Sequence, residues 1–109
     1  MSYLHKNLAS GRWKKFSLME QMANIGAEVG RAINWKNKDE NLAKSAFYRA
    51  LELFELTVTD PKNRKRLKEI NRSKEMFGDW FLGINQYQSS AEDWERYFLQ
   101  FNLAVRLNK

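Results

Sequence analysis

The sequence predicts an all-α fold, an antiparallel four-helix bundle led by a short basic N-terminal segment. Three observations carry this. Apolar residues recur at three- and four-residue spacing in four separate windows, which is the periodicity of one buried helix face. The main breakers, five glycines and one proline, leave those windows long and uninterrupted. No run of residues alternates with the period of two expected of a strand.

Residues 1–16 read as a basic arm and residues 17–109 as the bundle. In the arm, Leu4, Leu8 and Trp13 are candidates to pack on the body, and Ser10-Gly11 reads as a turn. The first helix starts at Ser17. Ser17 and Glu20 have the spacing of a capping box, in which each side chain takes the other's free backbone N–H. Leu18, Met22, Ile25, Val29 and Ile33 form its stripe, to about Trp35. The second helix begins near Asp39, a good N-cap. Ala43, Ala46, Phe47, Ala50, Leu51 and Phe54 line its inner face, and the β-branched run at residues 57–59 predicts a ragged end. Asp60-Pro61 starts the third helix, because aspartate caps and proline fits the first turn. Leu67, Ile70, Phe77, Trp80 and Phe81 lie on one side of it, and Gly83 is a natural stop. A polar loop follows to Ser89. A second capping box, Ser89 with Glu92, opens the fourth helix, whose face is Trp94, Tyr97, Phe98, Phe101, Ala104 and Val105.

A chain of 109 residues is one domain and can bury a core without staples. The absence of cysteine excludes disulfides and thiolate chemistry. The N-terminal residues lack the apolar run of a signal peptide, and no apolar stretch is long enough to span a bilayer. The expectation is a soluble, cytoplasmic protein with no membrane partner.

The net charge is +6, and it is unevenly placed. Between Pro61 and Lys74 lie Lys62, Arg64, Lys65, Arg66, Lys68, Arg72 and Lys74, with Glu69 as the single anion. The arm adds Lys6, Arg12, Lys14 and Lys15, while the remaining segments are slightly acidic. Cations at a helix start oppose its macrodipole, by about 0.3–1 kcal/mol each at exposed low-salt sites. Like charges four apart, such as Arg64 with Lys68 and Lys68 with Arg72, repel as well. A bound phosphate would reverse both effects. The alternative reading is a solvated face paired to nearby acids. Trp13 among the arm's cations could stack on an unpaired base, or could simply pack on the body.

No catalytic site is expected. His5, the single histidine, has no carboxylate within four residues. Glu20 with Glu28, or Glu52 with Glu55, could share a helix face, but such spacings occur on most polar helix surfaces. There is no nucleophile motif, no phosphate-binding glycine loop, no metal-ligand spacing and no cofactor signature. Gly26 and Gly30 predict close packing against a bulky neighbour. Fifteen aromatics, and the broad apolar face of the second helix (Leu42, Phe47, Tyr48, Leu51, Phe54), leave room for a second buried surface. A homo-oligomer or a protein partner is therefore expected.

Several blocks resemble a small bacterial family. They are Leu8-Ala9-Ser10-Gly11-Arg12-Trp13, the stretch from Ser17 to Val29, Arg49-Ala50-Leu51-Glu52-Leu53, Asp60-Pro61-Lys62-Asn63-Arg64 and Tyr97-Phe98-Leu99-Gln100-Phe101. The resemblance covers nearly the whole chain. It implies a helical-bundle accessory protein that accompanies the reverse transcriptase of a diversity-generating retroelement, and it carries no catalytic motif. The expectation is a non-enzymatic protein that binds nucleic acid, RNA above all, through Lys62, Arg64, Lys65, Arg66, Lys68, Arg72 and Lys74, with Arg12, Lys14 and Lys15 as a second strip. The rival expectation is a protein-interaction and oligomerisation module that needs no nucleic acid.

Overall fold

The computed structural model describes residues 11–107, and they form an all-α helical bundle. Four α-helices are present: α1 (Leu18–Trp35), α2 (Glu40–Val58), α3 (Leu67–Phe81) and α4 (Ala91–Leu107). Two short 3-10 segments, Arg12–Lys15 and Pro61–Arg66, precede α1 and α3. No strand occurs among the described residues.

The caps fix where the helices begin. Ser17 Oγ accepts the Glu20 N–H at 3.2 Å, and Glu20 Oε1 accepts the Ser17 N–H at 2.9 Å, so the first capping box forms as expected. Asp39 accepts the Leu42 N–H at the start of α2. The box before α4 sits one residue later than the Ser89/Glu92 pair: Ser90 and Asp93 exchange the two bonds. Ser89 is occupied elsewhere, its hydroxyl taking the Trp94 indole N–H and its backbone N–H going to Asn85.

Two further differences arise at residues 57–66. The β-branched end of α2 is not ragged. Thr57 is fully buried, and its hydroxyl donates to Leu53 O and accepts from the Trp13 indole, so tertiary bonds outweigh a weak helix propensity. After Asp60-Pro61 the chain winds first as a 3-10 helix. With three residues per turn, Asp60 and Asn63 are both buried, while Lys62 between them and Arg64, Lys65 and Arg66 after them are exposed.

Neighbouring helices run antiparallel. Phe47 stacks on Phe81 and Phe54 meets Phe77, so the partners on α3 descend as α2 ascends. Phe77 meets Trp94 and Ser73 bonds to Tyr97, which orients α4 against α3 in the same sense. Helix α1 packs between α2 and α4. Gly26 lets α4 approach closely, since a Cβ there would lie 2.9 Å from Phe98 Cβ. Gly30 has no such neighbour, so only the first glycine of the pair serves close packing.

The core runs through all four helices and includes Met22, Ile25, Val29, Phe47, Leu53, Phe54, Ile70, Phe77, Trp94, Phe98 and Phe101. Most of the aromatic surplus is spent here, in edge-on and stacked ring pairs. The apolar side chains left outside are mainly aliphatic: Leu42, Leu82, Ile84, Leu99, Leu103 and Leu107, with Tyr48 and Tyr87. No helix among the described residues is long and apolar enough to cross a membrane.

Candidate nucleic-acid interface

The basic segment is mounted on a buried polar network. Gln21 is its hub and is wholly buried on α1. Its amide nitrogen donates to Trp13 O and to Asp60 Oδ2, both at 2.9 Å. Its amide oxygen accepts from Asn63 Nδ2, which also donates to Thr57 O. Trp13 closes the circuit by donating its indole N–H to Thr57 Oγ1 at 2.9 Å. The network therefore ties the first 3-10 turn, α1, the end of α2 and the second 3-10 segment into one junction.

Asp60 is the charged member. Burial alone pushes its carboxyl upward, but the Lys62 ammonium, the Gln21 amide and the Lys62 backbone N–H together hold it below the usual carboxylate range. This carboxylate also caps the 3-10 segment, accepting the Lys62 N–H at 3.2 Å. The start of the segment thus carries its own anion. A phosphate would be met by side chains and not by the helix end.

The seven cations separate into two groups. Lys62 pairs with Asp60, Arg66 with Glu69 and Lys74 with Glu55. Arg64, Lys65, Lys68 and Arg72 have no ion pair among the described residues and are exposed. Lys68 and Arg72 lie one turn apart on the side of α3 opposite the buried Ile70, Ser73 and Phe77, and Lys65 precedes them in the 3-10 segment.

The arm reaches this surface. The Lys62 ammonium donates to Lys14 O at 3.0 Å, so the Arg12–Lys15 turn lies beside the Pro61–Arg66 segment. Arg12, Lys14 and Lys15 are exposed and join the strip. Trp13 does not: it is 2% exposed, with Phe16 edge-on at 5.6 Å. It packs in the core and cannot stack on a base. Sequence reasoning missed the hub, because a single Gln21 beside an apolar stripe gives no sign of Asp60 and Asn63, 39 and 42 residues away.

Elsewhere, no cluster of His, Cys, Asp and Glu among the described residues could hold a metal ion. His5 lies outside the described residues. Glu28 is buried on α1 and pairs with Arg31, away from the strip. A groove of about 350 Å³ opens between α3, α4 and the loop joining them, and Arg72 stands on its lining. No family model, curated protein or solved structure matches the chain.

Proposed function

We propose that this protein is a non-enzymatic accessory protein that binds RNA by backbone contact. One observation carries the reading. Four cations, Arg64, Lys65, Lys68 and Arg72, are exposed without ion-pair partners among the described residues, the first two on the 3-10 segment that the buried network anchors and the last two on α3. Their mutual repulsion is a local cost that phosphates would relieve. Arg12, Lys14 and Lys15 extend the strip, whereas Lys62, Arg66 and Lys74 serve the fold through their carboxylate partners. Recognition by charge and shape implies low sequence specificity along the strip. The resemblance to a retroelement-associated family extends the proposal to a role beside a reverse transcriptase.

The test is binding of a labelled structured RNA across a salt series. The Arg64/Lys65/Lys68/Arg72→Ala variant should lose most of the affinity while keeping its helicity. A control variant, Lys36/Lys38→Ala, should keep it. Equal binding by all three proteins, or none at low salt, would overturn the reading.

A second reading, self-association, is favoured by a separate feature. Leu99, Leu103 and Leu107 are exposed at four-residue spacing on α4 and form one aliphatic stripe. A second copy of the chain placed on it would give an oligomer that doubles the basic surface. Light scattering of the protein and of Leu99→Lys/Leu103→Lys decides this: a dimer that the variant abolishes supports it, and a monomer at high concentration sinks it.

A further inference from the structure

The groove between α3 and α4 is built from aromatic and polar groups that the charge strip does not use. Its apolar lining is Met76, Tyr87, Trp94 and Tyr97, of which Tyr87 is exposed and Trp94 is buried in the core. Besides Arg72, its polar groups are the Glu69 and Asp93 carboxylates, the Gln88 amide and the Ser73, Ser89 and Tyr97 hydroxyls. Ser73 donates to Tyr97 OH at 3.0 Å, and Tyr97 OH lies 3.5 Å from Glu69 Oε1. The other carboxylate oxygen is held by Arg66. Glu69 is therefore fixed in direction, with Oε2 on Arg66, Oε1 beside the Tyr97 hydroxyl and its charge partly balanced.

The outer wall is fixed too. Asp79 accepts the backbone N–H groups of Gln86 and Tyr87, and Asn85 caps Ser89. Asn85 and Gln88 both take positive φ, of 51° and 53°, and Asn85 is a residue type that tolerates that region. The loop is thus shaped to present Tyr87 at the rim, where it stands 44% exposed. A ligand would meet a formed pocket and would not need to order one.

Arg72 lines the groove and also ends the strip that runs through Lys65 and Lys68. Lys68 and Arg72 are separated by about 6 Å along the helix axis, at 1.5 Å per residue. A single strand lying on the strip therefore reaches the groove mouth with its phosphate on Arg72. The base attached there faces aromatic rings and a carboxylate. Aromatic surface takes a base by stacking, and a carboxylate accepts hydrogen bonds and donates none.

We infer that this groove is a pocket for one unpaired guanine of the bound strand, stacked on the exposed Tyr87 ring, with Glu69 Oε1 accepting from its Watson–Crick edge. Guanine offers two adjacent N–H donors on that edge, which can converge on the one oxygen that Arg66 leaves. Adenine sets one donor beside an acceptor that would face the carboxylate. Uracil offers one donor and less stacking area. The inference rests on the RNA-binding reading and adds a base-specific element to an otherwise sequence-tolerant surface.

The experiment uses three labelled RNA octamers. All are uridine except the fifth position, which is guanosine, adenosine or abasic. Binding to the full chain is followed by anisotropy over a salt series. The guanosine octamer should bind about tenfold tighter than the abasic one and several-fold tighter than the adenosine one. Tyr87→Ala and Glu69→Gln should each bring the guanosine-to-abasic ratio to within about twofold, with the salt slope retained. The ratio is the proper readout, because Glu69→Gln also frees Arg66 and would tighten all three octamers together. Equal affinity for guanosine and abasic octamers, with a steep slope, overturns the pocket and leaves the strip standing. Guanosine and adenosine binding alike, with Glu69→Gln silent, overturns the role of the carboxylate. Failure of every octamer to bind at low salt removes both proposals.

Discussion

Single residues with the same sequence-level reading diverge once their surroundings are known, and the two glycines of α1 show this most simply. Gly26 faces Phe98, with no room for a methyl group, while Gly30 faces open space. Gly26→Ala should destabilise the fold by about 1–3 kcal/mol, the range for overpacking. Gly30→Ala should stabilise it by about 0.5–1 kcal/mol, since it removes a flexible residue from a helix interior. Urea titration of the two variants checks both signs. Asp60 gives a second residue-scale expectation. Its folded-state pKa lies below the ordinary value, so its contribution to stability is present above the unfolded pKa and is lost as pH falls through the folded one. Asp60→Asn should cost about 1–3 kcal/mol at neutral pH, because it leaves the buried Gln21 amide and the Lys62 ammonium with a poorer acceptor. The gap between the wild-type protein and the variant should narrow steadily below about pH 4, near the unfolded-state value. A gap that stays constant from pH 7 to pH 2.5 would show that the carboxylate charge is not what the network uses.

At the scale of elements, the start of α4 separates pattern from structure. Ser89 and Ser90 are each followed by an acid three residues on, so the sequence alone offers two capping boxes. The indole of Trp94 decides between them by engaging Ser89. Asp93 is held below the usual carboxylate range by the Ser90 N–H, as a working cap should be. Ser90→Ala should therefore cost about 1 kcal/mol as the loss of an N-cap. Ser89→Ala should cost less, through one half-exposed hydrogen bond. Thermal melts of the two variants rank them, and the reverse order would refute the assignment. Helix number, the apolar faces and the caps of α1 and α2 were legible in the sequence, because periodicity and capping are local signals. The 3-10 winding of residues 61–66 was not. It depends on Asn63 reaching Gln21 and Thr57, which are brought near only by the fold. The same holds for Trp13: its neighbours in sequence are basic, but its environment is set by Thr57, 44 residues away. The division of the cations into paired and unpaired groups was likewise hidden, since Lys74 finds Glu55 across two helices.

For the whole molecule, the proposal implies that charge on α3 trades stability against binding. Lys68 sits in the first turn of α3, where the helix dipole disfavours a cation, and it lies one turn from both Arg64 and Arg72. Lys68→Glu reverses each of these interactions and places an acid one turn ahead of Arg72, the favourable orientation. The variant should gain about 0.5–1 kcal/mol of stability at low salt, with less gain as salt screens it. Its RNA affinity should fall at every sequence tested, because a backbone contact has been replaced by a repulsion. The salt slope on a single strand should also become shallower, by about 0.7 or more for the lost contact. Both readouts are needed. A protein that is more stable and binds RNA less well identifies Lys68 as a cation kept for its ligand at the fold's expense. A gain in stability with RNA binding unchanged makes the strip an ordinary solvated face, and leaves the aliphatic stripe of α4 as the surface through which the protein acts.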